Sequence, residues 1–144
     1  VDSVVTKMGN ALATGKQSIY VRTENRAGWG YSLDGNAQVR VSKGSWAGGT
    51  NIFAAVSFKS DGNVAYYDPA QGAYVNFATY SDNAWTLLEI EWTSSTKTAR
   101  YRVNNGTWTD WKTFNGAASF TDFDNVGLSF MKGGTGGVYF DKLY

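Results

Sequence analysis

The chain has 144 residues, the length of one domain, and 42% of them are hydrophobic, enough to fold around a core. Thirteen Lys and Arg against 12 Asp and Glu leave a net charge of +1, so the basic excess of a nucleic-acid binder is missing. His and Cys are both absent, which excludes Ser–His and Cys–His nucleophiles, disulfides and the usual zinc sites. Seventeen Gly, one Pro, six Trp, nine Tyr and eight Phe favour strands and tight turns over helices.

Taken in chain order, residues 1–10 lack the charged-then-apolar pattern of a signal peptide. Residues 6–13 have room for a turn or two of helix, against which Gly9 and Asn10 argue. Strand-like runs then recur at 18–24, 29–33, 37–42, 52–59, 64–68, 73–79, 85–93, 98–104, 107–114, 125–131 and 138–143. That recurrence predicts a sandwich or barrel. Asp34-Gly35, Asp61-Gly62 and Asn105-Gly106 accept the positive φ angles of two-residue hairpins, so antiparallel pairing should dominate. Residues 93–98 read as a polar loop and 133–137 as a flexible one. No run approaches the ~20 apolar residues of a membrane span. We expect one domain over 1–144, a module cut from a longer protein.

Alternation assigns faces. Leu88, Ile90 and Trp92 oppose Leu87, Glu89 and Glu91. Ala99, Tyr101 and Val103 oppose Thr98, Arg100 and Arg102, and Val126, Leu128 and Phe130 oppose Gly127 and Ser129. Half-buried strands of two packed antiparallel sheets read this way, predicting an all-β sandwich.

Four segments carry a family likeness. The run from Asn83 through Trp85, Leu88 and Ile90 to Trp92 is similar to the central strand of the concanavalin A-like, or laminin-G-like, jelly-roll superfamily. Arg100 through Gly106 to Trp108 resembles its hairpin, and Asn125 to Phe130 with Val138 to Leu143 resembles its closing strands. Ala13-Thr14-Gly15, followed by Ser18 and Ile19, resembles the opening of bacterial carbohydrate-binding modules. The resemblance implies a jelly roll with a carbohydrate-binding role, secreted or at the bacterial cell surface. It also implies a structural calcium at Asp141, with Asp2 or Asn10 as further ligands. The other reading of Asp141 is a surface Asp or a turn cap.

Sugar binding needs flat apolar rings beside hydrogen-bonding groups. Tyr66 and Tyr67 are adjacent on a strand, so one points away from the core. Tyr74 shares a face with Asn76, while Val75 and Phe77 take the apolar side. Trp108 and Trp111 lie three apart, so at most one belongs to the core, barring a bulge. Trp46 sits in the glycine-rich loop 43–51 as a candidate platform. Trp85, Trp92, Tyr101, Phe58, Phe77, Phe130 and Phe140 read as core, and Trp29 as either. Arg22, Arg100 and Arg102 fall on polar faces. Arg100 and Arg102 have two readings: bidentate partners for sugar hydroxyls or a uronate, and cross-strand partners of Glu89 and Glu91.

Glu89 and Glu91, two apart on one face, approach the carboxyl spacing of a retaining glycosidase. One jelly-roll glycosidase family has a similar Glu-Ile-Asp motif followed by another Glu. Here Glu91 stands for the Asp and no third acid follows. Residues 133–137 lack the Gly-Lys-Ser/Thr ending and the helix of a phosphate loop. The expectation is a non-catalytic module for polysaccharide or oligosaccharide, with no nucleic-acid or membrane partner, attached to a secreted glycan-active enzyme. The rivals are a small glycosidase using Glu89 and Glu91, and an adhesion domain without a glycan ligand.

Overall fold

A computed structural model describes residues 2–30, 37–43, 52–115, 121–130 and 134–142. It is an all-β sandwich of two antiparallel sheets. In chain order the strands are β1 (Asp2–Leu12), β2 (Thr14–Glu24), β3 (Ala37–Lys43), β4 (Ile52–Phe58), β5 (Asn63–Asp68) and β6 (Ala73–Thr79). Then follow β7 (Thr86–Thr93), β8 (Thr98–Val103), β9 (Lys112–Thr113), β10 (Phe123–Phe130) and β11 (Gly137–Asp141). The six-stranded sheet has the order β1-β10-β3-β4-β5-β6, and the five-stranded sheet β11-β2-β7-β8-β9.

The faces follow the alternation. Val39, Val41, Val56, Phe58 and Val64 of one sheet meet Ile19, Val21, Leu88, Ile90 and Trp92 of the other, all buried. Rings lock the two layers together. Tyr66 and Tyr101 stack across the sandwich with centroids 5.3 Å apart and planes 10° apart. Trp92 meets Phe123 edge-on at 5.8 Å. Tyr101 is fully buried, and its hydroxyl has no hydrogen-bond partner among the described residues. Burial therefore pushes its pKa well above the usual tyrosine value, with the Tyr66 and Tyr74 hydroxyls adding to the shift.

Several expectations are corrected. A strand precedes residue 14 where none was expected: residues 6–13 hold no helix, as Gly9 and Asn10 argue, and lie in β1 up to Leu12, paired with β10 in a register that shifts between Lys7 and Leu12. The shift accommodates the irregularity that Gly9 and Asn10 announce. Trp29 follows a 3-10 turn, Arg26–Gly28, rather than opening a strand, and it is fully buried against Phe130. The rest of that expected strand, with Asp34-Gly35, lies outside the described residues. Within 107–114 only Lys112–Thr113 pairs as strand. In the glycine segment, Gly134 N–H donates to the Trp29 carbonyl and Thr135 N–H to the Gly28 carbonyl, which fixes it against the 3-10 turn.

Two turns obey their sequence signals in different ways. Gly62 takes φ 89° between β4 and β5, with its N–H donating to the Lys59 carbonyl at 3.0 Å. After β8 the positive φ angles fall on Asn104 (50°) and Asn105 (56°), and Gly106 N–H closes the turn on the Val103 carbonyl. The turn thus sits one residue earlier than Asn105-Gly106 suggests. Asn tolerates the left-handed region well enough to allow this.

Candidate glycan-binding site

The outer face of the six-stranded sheet is built from the alternate residues that the core does not use. Register places Arg40 opposite Ala55, Ser42 opposite Phe53, Ser57 opposite Ala65, Ala65 opposite Asn76, and Tyr67 opposite Tyr74. Ala55, Ser57 and Ala65 are fully buried, although they point away from the core. They form a floor of small side chains, with larger ones from neighbouring positions standing around them.

The aromatic wall is continuous. Phe53 and Tyr67 have centroids 5.5 Å apart, and Tyr67 meets Tyr74 edge-on at 5.4 Å. The Arg40 guanidinium lies 3.9 Å from the Phe53 ring centroid and hydrogen-bonds Tyr74. Burial lowers the Arg40 pKa, and the Tyr74 interaction partly opposes that. At the other end Lys59 Nζ donates to Asn76 Oδ1 at 3.1 Å and lies 3.7 Å from Asp61. Lys59 is nearly buried while Asn76 is exposed. The face therefore carries flat rings, an amide and two cations around a trough of small side chains whose floor is closed to solvent.

The structure divides the expected site residues. Tyr67, Tyr74 and Asn76 come together on this face. Trp46, in the connection from β3 to β4, lies outside the described residues. Tyr66 turns inward and stacks on Tyr101, as the Tyr66-Tyr67 alternation requires of one of the pair. Tyr66, Asn76 and Trp108 nonetheless border one cleft of about 430 Å³ between the open edges of the two sheets, with Asp110 and Lys112 on its rim.

Arg100, Arg102, Trp108 and Trp111 lie on the opposite surface, the outer face of the five-stranded sheet. Of the two readings of these arginines, the structure shows the cross-strand pairs: Arg100 Nε donates to Glu91 Oε2 at 2.6 Å and Arg102 Nε to Glu89 Oε2. Lys16 Nζ reaches Glu89 Oε1 at 3.1 Å. Glu89 is nearly buried, and the Arg102 hydrogen bond, against the cost of burial, holds its pKa below the usual glutamate value. Trp108 and Trp111 do not divide between core and surface. Both stand over Arg100, at 4.7 and 4.9 Å, because the segment that carries them lacks strand pairing and its alternation.

Trp85, expected in the core, is 46% exposed on this same face. Its neighbour Thr86 takes the inward position opposite Val21, so Trp85 must face out. Asp141 pairs in register with Tyr20 and is exposed, and its Oδ1 accepts the Lys142 N–H at 2.8 Å. Among the described residues no three acidic side chains gather, so a calcium there would draw most of its oxygens from backbone and solvent. Sequence reasoning missed Arg40, Phe53 and Lys59 in the trough, and Tyr139 on the far face.

No protein-family model and no curated protein matches the sequence. Among solved structures the chain is similar to alginate lyase Aly36B, with TM-score 0.63 and 13% identity over 96% of this chain and 72% of that one. It is similar to a human galectin-16 variant, with TM-score 0.56 and 13% identity over 96% and 92% of the two chains. It is also similar to a sialidase, with TM-score 0.60 and 12% identity over 88% of this chain, which spans about a tenth of the sialidase's length. At such identity the shared feature is the fold, a jelly-roll β-sandwich of two antiparallel sheets.

Proposed function

We propose that this chain is a non-catalytic carbohydrate-binding domain that lays a polysaccharide along the outer face of its six-stranded sheet. The observation that carries the reading is the ring of Phe53, Tyr67, Tyr74, Arg40, Lys59 and Asn76 around the buried floor of Ala55, Ser57 and Ala65. Rings take the apolar faces of sugars, and the amide and cations take hydroxyls or a uronate. The neighbours in fold support a glycan ligand. They include galectins and glycan-active enzymes, and a mutant of alginate lyase Aly36B is known in complex with an alginate tetrasaccharide. In this reading the domain works outside the cell, joined to a larger glycan-active protein whose grip on polymer it strengthens by avidity.

The enzyme alternative requires Glu89 or Glu91 to act as a general acid. A general acid needs a raised pKa, whereas Arg102 and Lys16 hold Glu89 ionised. That supports the non-catalytic reading. Affinity electrophoresis against a panel of soluble polysaccharides tests it. Tyr67→Ala, Tyr74→Ala and Asn76→Ala should each weaken retention about tenfold, the effect of losing roughly 1.4 kcal/mol. Retention should persist in chelator, since stacking on rings needs no ion. Wild-type retention untouched by all three substitutions, or hydrolysis that vanishes in Glu89→Gln, would overturn the proposal.

A further inference from the structure

The three most exposed large rings among the described residues, Trp85, Trp111 and Tyr139, at 46%, 44% and 44%, all lie on the outer face of the five-stranded sheet, away from the trough. Two of them form a built surface. The Arg22 guanidinium lies 4.6 Å from the Tyr139 ring and 5.6 Å from the Trp85 ring. Arg22 Nη2 donates to Glu24 Oε1 at 2.9 Å, and the Tyr139 hydroxyl donates to Glu24 Oε2 at 3.1 Å. One carboxylate thus orients the cation and a ring together, so the entropy of fixing these side chains is spent in folding rather than on binding. Beside Trp85 opens a pocket of about 230 Å³, completed by Tyr20, Asp141 and Lys142.

We propose that this surface is a second carbohydrate-contact site, taking an uncharged pyranose unit of a polysaccharide, with Trp85 and Tyr139 as stacking faces and Asp141 and Lys142 as hydroxyl partners. The charge pattern selects the ligand class. Arg22 is matched by Glu24, and Asp141 adjoins Lys142, so the surface offers donors and acceptors without net charge. A phosphate, sulfate or uronate would find its cation already neutralised, whereas hydroxyls use both signs. Two contact surfaces on opposite sheets would let one domain bridge two polymer chains. The site extends the glycan-binding reading given above, and it rests on different residues.

The test uses the 144-residue chain with soluble β-glucan, xylan and galactomannan, and alginate as the charged comparison. Retention in affinity gels and turbidity on mixing are measured for wild type, Trp85→Ala/Tyr139→Ala and Tyr67→Ala/Tyr74→Ala. Trp85 and Tyr139 are exposed, so their truncation leaves the core intact. The first double variant should lose the turbidity that reports bridging and about tenfold of retention on a neutral polymer, while still binding through the trough. Unchanged retention and turbidity in that variant overturn the second site and leave the trough reading standing. Loss of all binding in that variant, with none in the trough variant, removes the trough and keeps the second site. Tighter binding of alginate that depends on Trp85 overturns the uncharged ligand class. No binding of any polymer by the wild type overturns both.

Discussion

At the scale of single residues, Gly15 shows how the fold uses a small side chain. It lies opposite Trp92 in the β2–β7 register, and a Cβ added to Gly15 would sit 2.4 Å from the Trp92 ring. That ring is 99% buried, packs against Phe123, and donates its indole N–H to the Leu12 carbonyl at 3.2 Å. It has little room to retreat. Gly15→Ala should therefore cost about 1–3 kcal/mol, the usual cost of overpacking a filled core. Urea denaturation would check this, and an unchanged midpoint would show that the indole can shift. The sequence displayed both residues without displaying that they meet, since 77 positions separate them. The same limit hid the trough. In the run from Ile52 to Phe58 only Ser57 is polar, so alternation did not say that Phe53 and Ala55 face outward. Tyr74 and Asn76 were legible because Val75 and Phe77, which alternate with them, are apolar.

At the scale of elements, the β7–β8 pair is held by a ladder of ions. Glu89 faces Arg102 and Glu91 faces Arg100 in register, with Lys16 of β2 adding a second cation to Glu89. The folded state lowers the Glu89 pKa, so the stabilisation is present above the ordinary glutamate range. It is lost as pH falls through the lowered folded value. Glu89→Gln should melt below the wild type at pH 7, with the difference shrinking as the solution is acidified through that window. A difference constant with pH would mean that the ladder contributes packing rather than charge. Alternation offered this pairing as one of two readings of Arg100 and Arg102, and the β7–β8 register then set each arginine opposite its glutamate. The strand β1 was not readable. Gly9 and Asn10 interrupt its pattern, and its pairing with β10 depends on residues more than a hundred positions away.

At the scale of the whole molecule, both sheets are closed by strands from opposite ends of the chain. β1 pairs with β10, and β2 pairs with β11 on one side and β7 on the other. These contacts form only after long loops have closed, which places folding in the millisecond-to-second range typical of all-β sandwiches. Stopped-flow tryptophan fluorescence should show the native signal recovering on that timescale, and full recovery within microseconds would contradict it. The same topology separates the expected site residues: Tyr67, Tyr74 and Asn76 belong to one sheet and Arg100 and Arg102 to the other, with Trp108 and Trp111 standing over Arg100 from a segment without strand pairing.

The sequence by itself determined the all-β class, most strand positions and the inward faces of β7, β8 and β10, and it offered the charge ladder as one of two readings. Each of these follows from a period of two and from neighbours close in the chain. The tertiary structure alone decided which outward residues share a surface. That choice depends on strand order and register between distant segments, which local pattern does not encode. It alone placed Arg40 over Phe53 and Trp85 beside Arg22.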